Sequence, residues 1–382
     1  MAFKEVYITN TSSFFPNEPV SNDEMEEYLG YINKTPSKSK AIVLRNNGIK
    51  RRFYALTKEG KSTHTNAEMA SLAIRKLFNN DTAALKSIDL ISCGTSSPDQ
   101  IMPSHGVMVH GWLPETNSVE VVSPSGVCCA GMHAFKYAYM ATKLGEVKQA
   151  VATGSERLSV SLRSENFEDE AQKLKTLHDD PYVGFEKEFL RWMLSDGAAA
   201  FLLSDKKNDT GISLKVEWLD GFSYANELPA CMYMGSDKNE DGTLKSYLDY
   251  PIGEVLEKSI LSIKQDVKLL GKNIVLYGGI GLKATLNKYG VKSEEIDYFL
   301  PHMSSEFFKD KIFQQLIVNG TGITYDKWFV NLSQVGNVGA ASVYFMVDEL
   351  FHSGKLKVGD KILLLVPESA RFSYMYGLLT VC

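Results

Sequence analysis

Two short stretches of the chain repeat one pattern of small residues. Residues 125–131 read Ser-Gly-Val-Cys-Cys-Ala-Gly, and residues 333–339 read Ser-Gln-Val-Gly-Asn-Val-Gly, 208 positions later. Residues 88–97 (Ile-Asp-Leu-Ile-Ser-Cys-Gly-Thr-Ser-Ser) correspond at the same offset to residues 296–305 (Ile-Asp-Tyr-Phe-Leu-Pro-His-Met-Ser-Ser). Two matches at one offset indicate that a structural unit is duplicated within the chain.

The hydrophobic pattern around these repeats alternates between short strands and longer helices. Runs of β-branched residues predict strands at 5–9, 90–93, 119–122, 150–153 and 199–203. A period of 3.6 residues predicts helices at 67–77, 132–144 and 342–350. Such alternation is typical of α/β proteins with buried sheets. We therefore predict an α/β fold made of two duplicated halves, residues 1–205 and 206–382.

Composition limits the function classes. The chain has 382 residues, of which 44% are hydrophobic, so it can bury a large core. A net charge of −5 argues against nucleic-acid binding, and neither a membrane-spanning run nor a signal-peptide core is present in the sequence. Five cysteines without a C-x-x-C pair suit a reducing compartment. We therefore expect a cytoplasmic protein whose thiols act singly.

The adjacent cysteines in the first repeat are the first candidates for chemistry. Cys129 is predicted at the start of the helix that ends near Gly145. Unpaired N–H groups at a helix N-terminus favour a thiolate, which is the nucleophilic form of cysteine. Most free cysteines are inert packing residues, which is the role predicted for Cys128. The repeat favours a catalytic role for Cys129, because it corresponds to Asn337 in the second half.

The second half offers two polar partners for this thiol. His302 follows a predicted strand, where a neutral imidazole can donate to a developing oxyanion. His133 competes with it, because it lies four residues after Cys129 on one helix and could form a dyad or bind metal. Asn337 could alternatively be a turn former or a helix cap. Equivalent loops of duplicated halves converge at strand ends, so we expect Cys129, His302 and Asn337 to meet.

Six motifs together resemble the β-ketoacyl-acyl-carrier-protein synthase III group of the thiolase superfamily. They are Gly-Ile-Lys-Arg-Arg at 48–52, Cys-Ala-Gly at 129–131, Gly-Ser-Glu at 154–156, Ser-Asp-Gly-Ala-Ala-Ala at 195–200, Pro-His at 301–302 and Gly-Asn-Val-Gly-Ala-Ala-Ser at 336–342. The resemblance covers almost the whole chain. It implies a thiolase-like five-layer αβαβα fold, a homodimer and a Cys-His-Asn triad of Cys129, His302 and Asn337.

The resemblance also implies a mechanism. Cys129 would accept an acyl group from a thioester, and His302 and Asn337 would stabilise the enolate of a second thioester, which attacks the acyl-enzyme. The N–H of Cys129 would be one oxyanion donor. Substrates would arrive on acyl-carrier protein or coenzyme A, so neither a metal nor a redox cofactor is expected. A basic cluster would either meet that acidic carrier or be a solvated surface: Lys38, Lys40, Arg45, Lys50, Arg51 and Arg52.

Two departures from the family pattern bear on the substrate. Residues 367–374 read Pro-Glu-Ser-Ala-Arg-Phe-Ser-Tyr where the group has a Gly-rich loop, so the second oxyanion donor and the pocket shape differ. Residues 167–192 form a long charged and aromatic stretch that would line the cavity, join the dimer interface or be a surface excursion. With these features the chain is similar to the ketosynthases of dialkylresorcinol and flexirubin-type pathways, which join two β-ketoacyl thioesters and close a cyclohexanedione ring.

Four alternatives remain open from the sequence. Within the superfamily they are a priming synthase of fatty acid synthesis, a head-to-head acyl-condensing enzyme and a non-catalytic ketosynthase partner, which usually lacks the nucleophile. A Cys-His-Asn order also occurs in papain-like thiol hydrolases. Their Cys-Gly-Ser-Cys-Trp signature is missing here, and hydrolysis gives no reason for a duplication.

Overall fold

A mixed sheet of nine strands organises the fold in the computed structural model, which describes residues 3–37, 39–166 and 189–382. The strands are β1 (Tyr7–Phe14), β2 (Val20–Ser21), β3 (Arg51–Arg52), β4 (Leu90–Gly94), β5 (Glu120–Val122), β6 (Gln149–Glu156), β7 (Gly197–Ser204), β8 (Leu214–Ser223), β9 (Met232–Tyr233), β10 (Ser236–Lys238), β11 (Leu244–Ser246), β12 (Lys264–Gln265), β13 (Tyr298–Pro301), β14 (Lys361–Glu368) and β15 (Ser373–Val381). The α-helices are α1 (Met25–Leu29), α2 (Lys40–Asn47), α3 (Asn66–Leu77), α4 (His105–Gly111), α5 (Cys128–Leu144), α6 (Ile252–Glu257), α7 (Val267–Tyr289), α8 (Lys309–Val318), α9 (Leu332–Val335) and α10 (Ser342–Phe351).

The sheet consists of two parts, and the strands of each part pair in the same pattern when counted outward from the centre. The sheet runs β13-β14-β15-β8-β1-β7-β6-β4-β5. From the centre, one part is therefore β1-β7-β6-β4-β5 and the other is β8-β15-β14-β13. In both parts the outer strands pair in parallel and the inner ones antiparallel. The division at residue 205 stays a prediction, and this repeated order supports it.

The two parts of the sheet are joined by a short antiparallel contact between β1 and β8, where Tyr7 pairs with Lys215 and Ile8 with Leu214. Helix α5 contacts β4 and β6 of one part and β14 and β15 of the other. Helix α10 likewise contacts β1, β7 and β13. These two helices therefore form a layer between the two parts, while α3 packs on the outside of one part and α7 on the outside of the other. The predicted α/β fold with its five αβαβα layers is confirmed.

Aromatic side chains hold the central helix layer against the sheet. Phe201 of β7 meets Phe135 of α5 edge-on at 5.3 Å and stacks on Tyr344 of α10 at 4.0 Å between ring centroids. The hydroxyl of Tyr344 also donates to the backbone oxygen of Gly131 at 2.8 Å. Buried aromatic pairs of this kind add stability beyond the area that they bury. They fix the N-terminal turn of α5 beside residues 339–341.

One boundary differs from the sequence-based expectation for a physical reason. Helix α5 begins at Cys128, one residue before its predicted start at Cys129, although helical periodicity is clear only from residue 132. Its first turn consists of two cysteines, an alanine and a glycine, so it carries none of the large apolar residues that reveal helical periodicity. The small residues are required there, because a methyl group on Gly131 would overlap the backbone oxygen of Ala340.

This contact predicts opposite effects for two Gly-to-Ala substitutions. Alanine is favoured over glycine in helices by about 1 kcal/mol. We expect Gly271→Ala in α7 to gain up to that amount, because nothing lies within 4 Å of the new methyl group. Gly131→Ala in α5 should instead lose about 1–3 kcal/mol, because backbone atoms must move apart. Urea unfolding of both variants measures this; a Gly131→Ala variant as stable as wild type would contradict the packing described.

Candidate active site

A cavity that opens to solvent has a lining of residues from both predicted halves. Cys128 at the start of α5, His302 after β13 and Asn337 after α9 all line it. Most of the other lining residues are apolar and include Leu158, Leu190, Leu194, Leu270, Ile274 and Leu316. A mostly apolar wall with a few convergent polar groups is usual for ligand sites.

The two adjacent cysteines face different surroundings. Cys128 lines the cavity and is 8% exposed, whereas Cys129 is 1% exposed and is not among the described residues that line it. The thiol of Cys129 donates to the backbone oxygen of Val366 in β14, with 3.3 Å between sulfur and oxygen. Both cysteines also belong to the buried core around the first turn of α5. The structure therefore places Cys128, His302 and Asn337 in the lining of one cavity, with Cys129 next to Cys128 in the same turn. The role of Cys129 as nucleophile stays a prediction.

The electrostatic expectation for the thiols requires a correction. A helix N-terminus was expected to favour the thiolate, yet burial raises the pKa of both Cys128 and Cys129 well above 9.0, with the Glu368 carboxyl as the next cause. The Glu368 carboxyl accepts hydrogen bonds from N–H groups that would otherwise stabilise a thiolate. Its Oε2 accepts from the N–H of Val127 at 2.8 Å and from the N–H of Cys129 at 3.0 Å. The N–H of Cys129, expected as an oxyanion donor, is therefore already engaged.

His302 is held at the end of β13. Its backbone N–H donates to the oxygen of Leu365 in β14 at 2.8 Å. Burial lowers the pKa of His302 to about 4, so the imidazole is neutral at pH 7 and can donate a hydrogen bond. The competing His133 lies on the exposed face of α5. Among the described residues, no group of three or more His, Cys, Asp or Glu side chains could hold a metal ion.

Asn337 is fixed by the segment that leads into β7. Its N–H donates to the oxygen of Met193 at 3.0 Å, and its backbone oxygen accepts from the N–H of Ser195 at 2.9 Å. The side-chain oxygen of Asn337 accepts from the N–H of Gly339 at 3.0 Å. Its NH₂ group donates to no acceptor within the described parts of the chain. The carboxamide is thus oriented with its donor free for a ligand.

Glu156 is a buried acid beside the site whose role the sequence did not indicate. It accepts from the N–H of Ser96 at 3.1 Å, the hydroxyl of Ser97 at 2.6 Å and, across the halves, the N–H of Ala340 at 3.1 Å. Burial raises the pKa of Glu156 to about 7. The Gly-Ser-Glu motif drew attention to this residue, but its partners are distant in sequence and become visible only in the fold.

Two segments depart from the family pattern, the loop at residues 367–374 and the stretch at residues 167–192. In the loop that replaces the Gly-rich one, Pro367 and Ser369 line the cavity. Phe372 adopts a φ of 57°, a conformation that glycine reaches more easily. Of the long stretch at 167–192, residues 167–188 lie outside the described residues. Leu190, just beyond them, lines the cavity.

Fewer cations of the predicted basic cluster are exposed than the sequence suggests. Arg52 is buried, where its guanidinium donates to Asn22 and to the backbone oxygen of Trp192. Lys40 pairs with Glu26 at 3.0 Å. Lys38 lies outside the described residues, which leaves three exposed cations in this cluster: Arg45, Lys50 and Arg51.

Comparisons with known proteins agree with this architecture. Residues 286–367 match the family described as 3-oxoacyl-[acyl-carrier-protein] synthase III C terminal. The chain is 24% identical over 355 residues to a β-ketoacyl-[acyl-carrier-protein] synthase III of Clostridium perfringens, covering 92% of each chain. It is 25% identical over 367 residues to one from Neisseria gonorrhoeae, covering 94% of this chain and 93% of that one.

Solved structures show the same fold along the whole chain. One is OleA from Xanthomonas campestris with bound lauric acid and lauroyl-CoA, with a TM-score of 0.73, 19% identity and 99% of both chains covered. Another is AbyA1, described as a tetronic acid condensing enzyme, with a TM-score of 0.72, 16% identity and coverage of 98% and 99%. None of the helices in the described parts of the chain is long and apolar enough to cross a membrane.

The chain has the thiolase fold, and it is similar to the β-ketoacyl-acyl-carrier-protein synthases III over more than nine-tenths of its length. Together these findings support an acyl-transferring, condensing enzyme.

The buried Glu156 predicts how stability depends on pH. Its pKa is about 7 in the folded chain and near 4.5 when exposed, so between these values the folded state holds a proton that the unfolded state has lost. Raising the pH from 5 to 8 should therefore destabilise wild type relative to Glu156→Gln, by up to about 3 kcal/mol. Urea unfolding of both proteins at several pH values measures this difference. A difference that stays constant with pH would contradict the assignment.

Proposed function

We propose that this protein is a ketosynthase that forms a carbon–carbon bond by Claisen condensation of two acyl thioesters through an acyl-cysteine intermediate. The observation that carries the proposal is the cavity, where a thiol, a neutral imidazole and a carboxamide converge from both halves of the chain. Apolar side chains form most of the remaining wall, as an acyl chain requires.

Each polar group has a distinct part in the proposed reaction. The Cys129 sulfur attacks the carbonyl carbon of the first thioester, the carrier thiol leaves with the proton, and a new thioester bond holds the acyl group. The second thioester then becomes an enolate, either by losing carbon dioxide or by passing an α-proton to a general base. His302 and Asn337, which are uncharged at pH 7, donate hydrogen bonds to the enolate oxygen. Attack of the enolate carbon on the acyl-enzyme forms the new bond and releases the cysteine sulfur, which takes up a proton again.

We propose acyl-carrier protein or coenzyme A thioesters as the partners. The exposed cations Arg45, Lys50 and Arg51 offer a surface for an acidic carrier. This surface lies near the cavity, because the neighbouring Gly48 packs on Glu306, two residues before the cavity-lining Phe308. The homodimer stays a prediction.

For the particular reaction, we propose that two β-ketoacyl thioesters are joined and closed to a 1,3-cyclohexanedione, as in dialkylresorcinol biosynthesis. The mostly apolar wall of the cavity, to which both halves contribute, supports the binding of acyl groups. Side chains of Pro367 and Ser369 shape the cavity wall where the related enzymes have a Gly-rich loop, which supports a substrate different from that of a priming synthase.

The proposed division of labour predicts separable steps. Wild type mixed with an acyl thioester should gain one acyl mass, measured on the intact protein. His302→Ala and Asn337→Ala should still gain this mass, because neither group forms the acyl bond. Their condensation rates should fall by about 10²–10³, the usual loss for one oxyanion donor. An unmodified wild-type protein would overturn the proposal, and unchanged condensation in both variants would remove these residues from it.

Product analysis tests the particular reaction. Purified protein with two β-ketoacyl thioesters is expected to release a cyclohexanedione, identified by mass spectrometry against a synthetic standard. Acetyl and malonyl thioesters serve as the control pair. If only the control pair reacts and a linear β-ketoacyl product forms, the protein is a priming synthase and the cyclising version fails.

A further inference from the structure

We infer that Gln265 and Ser369 form a polar subsite in the cavity wall that binds the β-keto oxygen of a β-ketoacyl thioester. The inference rests on the proposed function and deepens it, because it names the side chains that select a β-ketoacyl group over a saturated one. The group that this subsite binds is the second carbonyl of the acyl chain, not the carbonyl of the thioester.

The two side chains are a polar pair in a mostly apolar wall. Both line the cavity, as do the apolar Ile263 and Leu270 close to Gln265 in the chain. The Nε2 of Gln265 donates to the Oγ of Ser369 at 3.2 Å. The hydroxyl of Ser369 donates only to the sulfur of Met232 at 3.9 Å, and a thioether sulfur is a weak acceptor. This hydroxyl is therefore available to a stronger acceptor.

The carboxamide of Gln265 has an atom without a partner. Its Oε1 is buried and accepts no hydrogen bond from the described residues. An unpaired buried acceptor costs free energy. If the carboxamide turned by half a rotation, Oε1 would accept from the Ser369 hydroxyl and the NH₂ group would be free to donate. In both arrangements the pair offers a donor to the cavity, so the ligand that completes it is a hydrogen-bond acceptor.

The subsite is close to the cysteine turn, which is the position that a β-keto oxygen requires. Glu368 directly precedes Ser369 and accepts from the N–H of Cys129 at 3.0 Å. Consecutive Cα atoms are only about 3.8 Å apart, so Ser369 lies near the start of α5. In a β-ketoacyl thioester, the second carbonyl is two carbons beyond the first. An acyl group attached at the cysteine turn would therefore carry its β-keto oxygen near the subsite.

Backbone hydrogen bonds fix the two side chains relative to each other. Gln265 of β12 pairs with Met232 of β9. The backbone oxygen of Ala370, the residue after Ser369, accepts from the N–H of Cys231 at 2.8 Å and from that of Met232 at 3.2 Å. The same short segment thus holds both β12 and the loop that carries Ser369. A fixed donor needs little ordering on binding, and it discriminates against a ligand that lacks the acceptor.

Two acyl groups of equal length test the subsite. The acyl adduct on the intact protein is followed over time with 3-oxododecanoyl-coenzyme A and with dodecanoyl-coenzyme A, and the ratio of the two acylation rates is measured. We expect this ratio to fall about 3–10-fold in Ser369→Ala and in Gln265→Leu, the usual effect of losing one neutral hydrogen bond. The intrinsic reactivities of the two thioesters are the same for every variant, so they do not affect the change in the ratio.

Gln315→Leu is the matched control, because Gln315 also lines the cavity but its side chain donates to Asn319 at 3.1 Å. Its ratio should equal that of wild type. Circular dichroism verifies folding, and if one subsite variant does not fold, the other decides. An unchanged ratio in either folded subsite variant, or an equal fall in the control, would overturn the inference while the proposed function stands. Absence of both adducts from wild type would instead remove the proposed function, and the inference with it.

Discussion

The close packing of the first turn of α5 against residues 339–341 is the constraint on which the site depends. Gly131 leaves room for the backbone of Ala340, and Tyr344 donates to the oxygen of Gly131. Both contacts join a helix of the first half to the polar turn of the second. Because this turn follows Asn337 directly, the contact sets where the carboxamide stands relative to the cysteines. Interiors are packed too densely for such a contact to shift freely, so the geometry is defined before substrate arrives.

The electrostatics of the cavity favour neutral groups. Burial raises the pKa of the Cys128 thiol and lowers that of the His302 imidazole, so both are uncharged in the free protein at pH 7. The charge of the reaction thus develops only once substrate is bound, next to donors that are already oriented. In an apolar site, fixed donors stabilise such charge more strongly than they would in solution. Stabilisation that depends on bound substrate suits an enzyme whose acyl group must react with a second thioester and not with water.

The sequence predicted the fold class correctly, but it did not indicate how the two cysteines differ in their surroundings. The repeat at an offset of 208 residues linked strands β4 and β13, which occupy equivalent places in the sheet. His302 and Asn337 were likewise indicated by their places in that repeat. The surroundings of the two cysteines depend in part on Glu368, 239 residues after Cys129, which accepts from the N–H of Cys129. Short sequence motifs carry no information on such distant partners.

A crystal structure of the protein after reaction with lauroyl-coenzyme A tests the central claim most directly. We predict continuous electron density from the Cys129 sulfur into the cavity, with the lauroyl chain against Leu270 and Ile274. Density on another residue, or a lauroyl chain outside the cavity that His302 and Asn337 line, would contradict the account.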